Sequence, residues 1–284
     1  MAGSLHFEAP TTLEYFASLV AEDATLPLLE TAVALAQDDD PGLDVQGVLA
    51  QIDELADRLK RRLAPDAPPL LRLRLLNRYF FHELGFAGNV NHYHDPGNSL
   101  LPQVLASRRG IPITLAVLYI ELANQAGLQA QAVSFPGHFL VKLHLPRGEA
   151  VIDPFTGKSL SREALEERLL PYRQQLGSTD EEPVPLGLFL QPAPPRDVIA
   201  RMLRNLKEIH RSACDWRRLA AVQQRLVILL PQAWEERRDR ALVLAELGCH
   251  QLAADELALF LRKRPSAPDA ALLRRHLAAW RGLH

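Results

Sequence analysis

The chain has 284 residues, of which 48% are hydrophobic, and a formal net charge of −2. This length permits one large core or two modest ones, so the composition predicts a soluble globular protein of one or two domains. A net charge so close to zero argues against a dedicated nucleic-acid binder, and no apolar run approaches the roughly 18 residues of a membrane span. Residues 1–16 lack the basic region followed by an apolar region that marks a secretion signal, so we expect a cytoplasmic protein.

Charge is distributed unevenly along the chain. Residues 1–196 hold 16 Lys and Arg against 24 Asp and Glu, whereas residues 197–284 hold 16 against 10. Two interpretations stay open. Either the two parts pack against each other with complementary electrostatic fields, or the C-terminal part binds an acidic partner.

Helical patterns fill residues 11–84. In residues 43–63 the apolar positions, beginning with Val45 and Val48, recur at spacings of three and four, which places them on one helix face. An acidic loop, "AQDDDPG", separates this helix from the one before it. A third amphipathic run ends at Gly85, so three helices are predicted in this part of the chain.

A loop and a short helix are predicted before the most apolar helix of the chain. The short helix is expected to start near Ser99, which suits an N-cap. Pro112 suits the first turn of the next helix, where its missing N–H costs nothing, and Gly127 ends that helix. Apolar residues cover most of the circumference, so we expect the buried central helix of its domain.

Two or three antiparallel strands are predicted after the central helix. The segments "AQAVSFPGHFLVKLHL" and "EAVIDPF" alternate apolar and polar residues and are rich in β-forming ones, and "PRGE" between them is typical of a turn. Ser161 is the predicted N-cap of a closing helix.

The last third of the chain predicts helical repeats. A proline-rich segment, residues 181–197, is predicted as a linker. After it, Pro231 and Pro265 stand 34 residues apart, each behind an apolar helix, and this is the period of tetratricopeptide helix pairs. The sequence therefore predicts two domains, residues 1–190 and residues 191–284, the second with two repeats and a final capping helix.

Metal and cofactor sites are only weakly indicated. Cys214 and Cys249 are too few for a disulfide framework or a Cys-rich metal site, and we expect ordinary helix residues. His92, His94 and Asp95 alternate and could grip a metal, but three ligands in a flexible turn favour no metal site. No phosphate loop or dinucleotide fingerprint is present, so no cofactor is expected.

His138 and Asp153 are the candidate catalytic residues. We expect each to lie on a strand, and antiparallel pairing would let the imidazole donate one ring N–H to the carboxylate and keep the other nitrogen as a base. This arrangement is the orienting half of a nucleophile–His–Asp triad. The alternative is a satisfied core histidine beside a turn-forming Asp–Pro pair.

The segment "NSLLPQVLASRRGIPITLAVLYIELANQAGL", with "FPGHFLVKL" and "VIDPFTGKSL" behind it, resembles the SirB family of bacterial proteins. Members of that family join a transglutaminase-like domain to C-terminal tetratricopeptide repeats. The resemblance implies an α+β fold, in which a papain/transglutaminase-like domain of helices and a small antiparallel sheet precedes an all-α tetratricopeptide-like helical repeat domain. It also implies a regulatory or interaction role.

The resemblance also bears on the missing nucleophile. The transglutaminase-like pattern has a cysteine at the start of the central helix, then His and Asp on later strands. Aligned on Gly127 and Leu128, the pattern matches His138 and Asp153 but puts Pro112 at the cysteine position. A proline ring cannot attack a substrate, so thiol-based transamidation or peptide hydrolysis is not expected.

Polar side chains near the same helix end are candidate substitutes or binding groups. Ser99 or Thr114 could bring a hydroxyl to His138, whereas a helix cap and a helix-packing residue are the alternative roles. Arg109 could anchor the loop to an acidic group or bind an anion near the helix end. The candidate binding residues are Asn98, Ser99, Arg109 and Thr114.

Two functions follow from these features. The first is a catalytically degenerate transglutaminase-like protein that regulates or interacts, binding a protein or peptide partner through its helical repeats. The second is an amide hydrolase or acyl transferase in which His138 and Asp153 activate water or a non-cysteine nucleophile. Neither involves nucleic acid or a membrane.

Overall fold

The computed structural model describes residues 10–175 and 184–282. Residues 1–9, part of the segment in which no secretion signal is expected, and residues 181–183, the start of the predicted linker, lie outside the described part. Among the described helices, none has the length and apolar character needed to cross a membrane.

The chain divides into two compact units, each built from separate segments. The sheet unit comprises Pro27–Ala36 and Asp44–Met202, and the helical unit comprises Met1–Leu26, Gln37–Leu43 and Leu203–His284. The predicted boundary at residue 190 divides the chain into contiguous domains and stays a prediction. In the two compact units, by contrast, the N-terminal residues and the segment Gln37–Leu43 belong with the C-terminal helices.

The first half of the chain is mostly helical, as predicted. Its helices are α1 (Thr12–Leu19), α2 (Leu28–Ala34), α3 (Val45–Lys60), α4 (Pro69–Asn77), α5 (Leu101–Ser107) and α6 (Pro112–Gln125). The apolar face of α3 is confirmed, since Val45 and Val48 are buried. The first of the three predicted helices is instead the pair α1 and α2, because Pro27 occupies the N-cap of α2 and cannot continue a helix. The central helix α6 is buried around most of its circumference, as predicted.

A four-stranded antiparallel sheet follows the central helix in the described residues. A short parallel pair, β1 (Ala87–Gly88) and β2 (Arg109–Gly110), precedes it, and the sheet itself holds β3 (Gln129–Val133), β4 (Leu140–Leu145), β5 (Gly148–Asp153) and β6 (Lys158–Leu160) in chain order. In the β4–β5 pair, Val141 lies opposite Ile152. The predicted antiparallel strands are β3, β4 and β5, and β6 is a fourth strand that the sequence analysis does not predict. The α+β fold class is confirmed.

Two further helices follow the sheet in the sheet unit, which ends at Met202. After β6 come α7 (Arg162–Gln175), for which the Ser161 hydroxyl accepts the Ala164 N–H over 3.2 Å as predicted for an N-cap, and α8 (Leu186–Phe189).

The described part of the predicted linker packs on the sheet. Leu186 is buried in one cluster with Val133, and the Ala193 N–H donates to the Ala132 carbonyl over 2.8 Å. The linker prediction is therefore wrong for this part. Dense proline suggests irregular structure, but Leu186 and Leu190 between the prolines bury apolar area against the sheet, which holds the segment in place.

The rest of the chain is helical and repeats. Its helices are α9 (Pro195–Ser212), α10 (Trp216–Leu229), α11 (Trp234–Glu246), α12 (His250–Lys263) and α13 (Ala270–Arg281). Helices α10 and α12 start 34 residues apart, at Trp216 and His250, which confirms the predicted period. Leu226 and Phe260, which the same shift pairs, are both buried.

Both cysteines lie in exposed turns of the helical unit. Cys214 follows α9 with a φ of 52°, and Cys249 is the N-cap residue of α12. Gly248, 34 residues after Cys214, has a φ of 75°. The prediction of ordinary helix residues is therefore wrong, because the turn within each helix pair needs a left-handed residue, for which glycine is the usual choice.

A buried ion pair ties the segments of the helical unit together. The Arg225 side chain is fully buried, and its Nε and Nη2 each donate to one oxygen of Asp38 over 2.7 Å. Its guanidinium carbon lies 4.8 Å from the ring centroid of Phe16 on α1. Residues from all three segments of the unit therefore meet at one guanidinium group.

Candidate functional site

The central helix starts without a nucleophilic side chain at its first residue. Pro112 is the first residue of α6, after Ile111 at the N-cap. The fixed φ of proline and its missing N–H suit this position. A thiol at the same place would gain reactivity from the helix dipole, but the proline ring has no atom that could attack a carbonyl.

Thr114 and Asn98 hold the preceding loop against the helix start. The buried Thr114 hydroxyl donates to the Asn98 carbonyl over 2.8 Å and accepts the Ile111 N–H over 3.2 Å. The Asn98 amide donates to the His92 carbonyl over 2.6 Å, and its oxygen accepts from Asn89 Nδ2 over 3.0 Å. Both side chains therefore form their hydrogen bonds with other residues of the protein.

Ser99 is fully buried, and in the described part of the chain its hydroxyl has no hydrogen-bond partner. It does not cap α5, which begins at Leu101 behind Leu100 in the N-cap position. The expected cap is therefore wrong: Pro102 fixes the first turn of α5, so the helix starts later than predicted. With no exposed surface, neither Ser99 nor Thr114 presents its hydroxyl to a substrate in this conformation.

Arg109 anchors the loop through backbone oxygens. Its exposed side chain donates from Nη1 to the Gly85 carbonyl over 2.7 Å and to the Arg108 carbonyl over 3.0 Å. The described residues supply no acidic partner for it. The chain therefore uses this arginine to join β2 to the end of the preceding helical segment.

His138 lies in a turn rather than on a strand. Phe135 to His138 form a β-turn in which the His138 N–H donates to the Phe135 carbonyl over 3.0 Å, with Pro136 and Gly137 between them. Gly137 has a φ of 68°, as the third residue of a type II turn requires. The expectation of a strand at His138 is wrong because the Pro–Gly pair ends the strand pattern, and β4 begins only at Leu140.

Asp153 ends β5 as predicted, but its carboxylate is bound elsewhere. One oxygen accepts the N–H of Phe155 over 3.0 Å and that of Thr156 over 3.4 Å, and the other accepts from Arg168 Nη2 over 3.2 Å. Asp153 is only 5% exposed. His138 lies at the same end of the β4–β5 pair, yet its ring makes no hydrogen bond to any of the described residues, Asp153 included.

Two arginines that the sequence did not single out complete the site. Arg168 projects from α7 to Asp153. Arg201 projects from α9, where its Nη1 donates to the Ser134 hydroxyl over 2.7 Å and its Nη2 to the His138 carbonyl over 3.1 Å. The sequence signal for Arg168 is an arginine in the helix after the Asp–Pro turn. Arg201 falls beyond the predicted boundary at residue 190, so the sequence places it in the repeats.

The electrostatics around His138 favour a neutral imidazole. Burial lowers the pKa of His138, and the positive charges of Arg168 and Arg201 lower it further, while Asp153 opposes them. The ring is half-buried and neutral at physiological pH, so it is able to accept a proton. Without a carboxylate at hydrogen-bond distance, its tautomer is not fixed in the manner of a triad.

The His92–Asp95 turn serves the loop. Asp95 accepts the Gly97 N–H over 2.8 Å and so caps a short 3-10 turn. Tyr93, between the two histidines, has its ring centroid 6.0 Å from that of Phe155. Across the described ranges, no group of three His, Cys, Asp or Glu side chains is arranged to hold a metal ion.

Comparisons with known proteins agree with the two-part architecture. Residues 46–204 match the family described as "Transglutaminase-like superfamily", and residues 206–278 match the family described as "Tetratricopeptide repeat". No solved structure matches the chain.

Several bacterial proteins resemble the chain over most of its length. A "UPF0162 protein" of Xylella fastidiosa (strain 9a5c) is 38% identical over 257 residues, which cover 90% of each chain. "UPF0162 protein PA3419" of Pseudomonas aeruginosa is 31% identical over 84% of this chain and 86% of its own. "UPF0162 protein YchA" of Escherichia coli (strain K12) is 27% identical, over 81% and 83%. This chain belongs to the UPF0162 family and joins a transglutaminase-like domain to tetratricopeptide repeats.

Proposed function

We propose that this protein is a regulatory or protein-interaction module whose transglutaminase-like domain lacks thiol chemistry. The observation that carries the proposal is Pro112 at the first position of α6, where the transglutaminase-like pattern has a cysteine. The burial of both candidate hydroxyls, Ser99 and Thr114, supports it. So does the resemblance to the SirB family, which implies the same role, and we keep cytoplasmic residence as part of the proposal.

The surface that we propose for a protein or peptide partner is a groove in the helical unit. A cavity of about 600 Å³ lies between helices of the repeats, lined by residues that include Trp216, Leu242, His276 and Trp280. Stacked helix pairs build concave surfaces that bind extended partners, and tryptophan is enriched among the residues that dominate interface energies.

A matched pair of variants tests the groove. Leu242 lies in it and is 36% exposed, whereas Leu272 lies outside it on α13 and is 55% exposed. We expect Leu242→Arg to lose the proteins that the wild type captures from a lysate, because a charge enters the apolar part of the groove, and Leu272→Arg to keep them. Equal capture by both variants would place the interaction elsewhere.

The absence of chemistry is tested by mass spectrometry. Lysate proteins and a peptide mixture are incubated with the wild type and with His138→Ala, and the products are searched for deamidation, cleavage and new cross-links. We expect no difference between the two. A product that only the wild type forms, with thermal melts showing that the variant is folded, would overturn the proposal.

Restoring the nucleophile tests the alignment behind the proposal. In a background of Cys214→Ser and Cys249→Ser, which removes the two exposed thiols, Pro112→Cys leaves one thiol at the helix start. We expect it to react with iodoacetamide faster at neutral pH than free cysteine does, because the helix N-terminus lowers a thiol pKa. A thiol that stays inert in the folded variant would mean that Pro112 does not occupy the cysteine position.

One observation favours the second candidate function, an amide hydrolase or acyl transferase. The neutral, half-buried His138 ring makes no hydrogen bond within the described residues, so it is free to take a proton from water. The mass-spectrometry experiment decides between the two functions, since this candidate requires a product that disappears in His138→Ala.

A further inference from the structure

Arg201 is a partly buried cation whose hydrogen-bond acceptors are all neutral. Its two terminal nitrogens bind the Ser134 hydroxyl and the His138 carbonyl, and its guanidinium carbon lies 5.3 Å from the ring centroid of Phe139. The described residues give it no carboxylate partner. Burial of a guanidinium is unfavourable unless an anion compensates it, so this arginine is held in place with its charge unmatched.

Arg168 brings a second incompletely satisfied guanidinium to the same region. Its Nη2 binds Asp153, whose other oxygen is already engaged by two backbone N–H groups. Its Nη1 is buried and has no acceptor in the described part of the chain. A planar guanidinium has parallel N–H groups on two nitrogens, and an oxyanion is the group that satisfies both together.

Charge balance around His138 points the same way. Arg201 binds the His138 carbonyl and Arg168 binds Asp153, so two cations and one anion lie at this end of the β4–β5 pair. Asp153 is already paired with Arg168. The region therefore keeps one positive charge that no described side chain neutralises.

The aromatic side chains beside this region offer a surface for the rest of a ligand. Tyr93 is 44% exposed, and its ring centroid lies 6.0 Å from that of Phe155. Phe155 in turn follows the Asp153 turn and contributes its carbonyl to the Gly88 N–H over 3.0 Å. An aromatic wall next to a cationic group is typical of a ligand site with one charged end and one apolar end.

We propose that Arg168, Arg201 and His138 form a binding site for an oxyanion, a carboxylate or a phosphate, carried by a ligand whose apolar part lies against Tyr93 and Phe155. The two guanidinium groups bind the oxyanion, and the histidine lies beside it. This inference goes beyond the proposed function and does not depend on it, because an oxyanion binds here whether or not His138 performs chemistry.

The experiment follows the imidazole signals of histidine-labelled full-length protein by NMR. The probes are inorganic phosphate and succinate, added separately at constant ionic strength because salt screens such interactions. The His138 signal is assigned by its loss in His138→Gln. We expect a saturable shift of that signal with at least one probe. The arm that saturates at the lower concentration identifies the source of the oxyanion as a phosphate or a carboxylate.

Variants separate a built site from general attraction to a positive charge. We expect Arg201→Gln to weaken binding about tenfold or more, because a charge-assisted hydrogen bond is lost. Arg147→Gln, at an exposed arginine in the β4–β5 turn, removes the same charge and should bind as the wild type does. If thermal melts show that Arg201→Gln is unfolded, two other variants replace it. Ser134→Ala frees Arg201 from its anchor, and Arg201→Lys keeps the charge but loses the forked guanidinium. Both should weaken binding.

Two results would overturn the proposal. One is the absence of a saturable His138 shift with both probes in the folded wild type. The other is equal weakening by Arg147→Gln and Arg201→Gln. A reaction product found by mass spectrometry would overturn the proposed function but leave this binding result intact, so the two failures are distinguishable.

Discussion

Two arginines, one in each unit, show contrasting ways to hold a guanidinium inside a protein. Arg225 of the helical unit is fully buried and binds both oxygens of Asp38 over 2.7 Å. Arg201 of the sheet unit binds a hydroxyl and a carbonyl and has no acid among the described residues. Each also lies against a phenylalanine ring, Phe16 and Phe139 respectively.

The contrast separates a structural role from a binding role. The bidentate pair with Asp38 neutralises the charge of Arg225, although its Nη1, like that of Arg168, is buried without an acceptor among the described residues. With its charge matched, Arg225 serves the packing of its unit. A partly buried arginine held by neutral acceptors alone, as Arg201 is, keeps its attraction for an anion, whereas water screens the charge of an exposed one such as Arg109. Arrangements of this kind are expected where a ligand completes the site.

The largest effect is expected from removing the acid of the paired arginine. Asp38→Ala should lower the free energy of unfolding by about 3 to 5 kcal/mol, because Arg225 is left buried without a partner. Urea unfolding measures the loss. Asp40→Ala removes an exposed acid whose carboxylate bonds, among the described residues, only to the nearby Gly42 N–H. It should cost less than about 1 kcal/mol. Equal losses would mean that the Arg225 pair is no stronger than a surface contact.

A second buried pair in the helical unit should show an intermediate effect. Lys207 Nζ donates to Glu236 and to Asp239, over 2.7 Å each. Burial opposes the ionisation of Asp239, yet its bonds to Lys207 and Arg238 hold its pKa below the ordinary value. Lys207→Met should cost about 2 kcal/mol, since both acids keep an arginine partner. A thermal melt at neutral pH would show it, and an unchanged melting temperature would exclude a stabilising role.

A smaller loss is expected at the unpaired arginine. Arg201→Met should cost no more than about 1 kcal/mol, because two hydrogen bonds to neutral acceptors are lost while a desolvated charge is removed. The same variant should raise the pKa of His138, since one of the positive charges that lower it has gone. Urea unfolding and an NMR titration of the imidazole test the two parts. A loss of unfolding free energy as large as that of Asp38→Ala would mean that Arg201 has a structural role like that of Arg225.

The smallest effect is a pH dependence of stability at His138. Its folded pKa lies below the unfolded value of about 6.5, so the folded state binds protons less readily, and stability falls as pH drops below that value. His138→Gln removes this term, so the variant should lose less stability than the wild type between neutral and mildly acidic pH. We expect a difference below about 1 kcal/mol for this partly exposed group.

His210 is the counterpart in the helical unit. Burial lowers its pKa too, but Asp215, Asp39 and Asp38 oppose the shift. His210→Gln should therefore change the pH dependence in the same direction. Unfolding curves collected across the acidic range for both variants would check this, and opposite signs would contradict the assigned environments.

Much of the fold follows from local sequence patterns. The spacing of apolar residues in α3, the all-round apolar character of α6 and the 34-residue period of α10 and α12 each depend on neighbours within a few turns, and each is confirmed. The composition of the helical unit does not follow from such patterns. Arg225 and Asp38 are 187 residues apart, and no local rule indicates that they meet.

The candidate site shows the same limit. The order of strands is enough to bring His138 and Asp153 to one end of the sheet, as expected. They form no hydrogen bond with each other, because Arg168 from the next helix binds the Asp153 carboxylate instead. Arg201 does not follow from the sequence, because the proline-rich segment before it is typical of a linker. In the structure Leu186 and Leu190 of that segment are buried against the sheet, and Arg201 in the first half of α9 binds Ser134.

The discontinuous helical unit has a consequence for biosynthesis. A ribosome releases α1 and the Asp38 segment early, but the helices that complete their unit begin only at Leu203. Until those helices emerge, α1 lacks α10, the helix against which it packs. The nascent chain therefore finishes the sheet unit first, and α1 stays open to proteases and chaperones until the helices after Leu203 have been made.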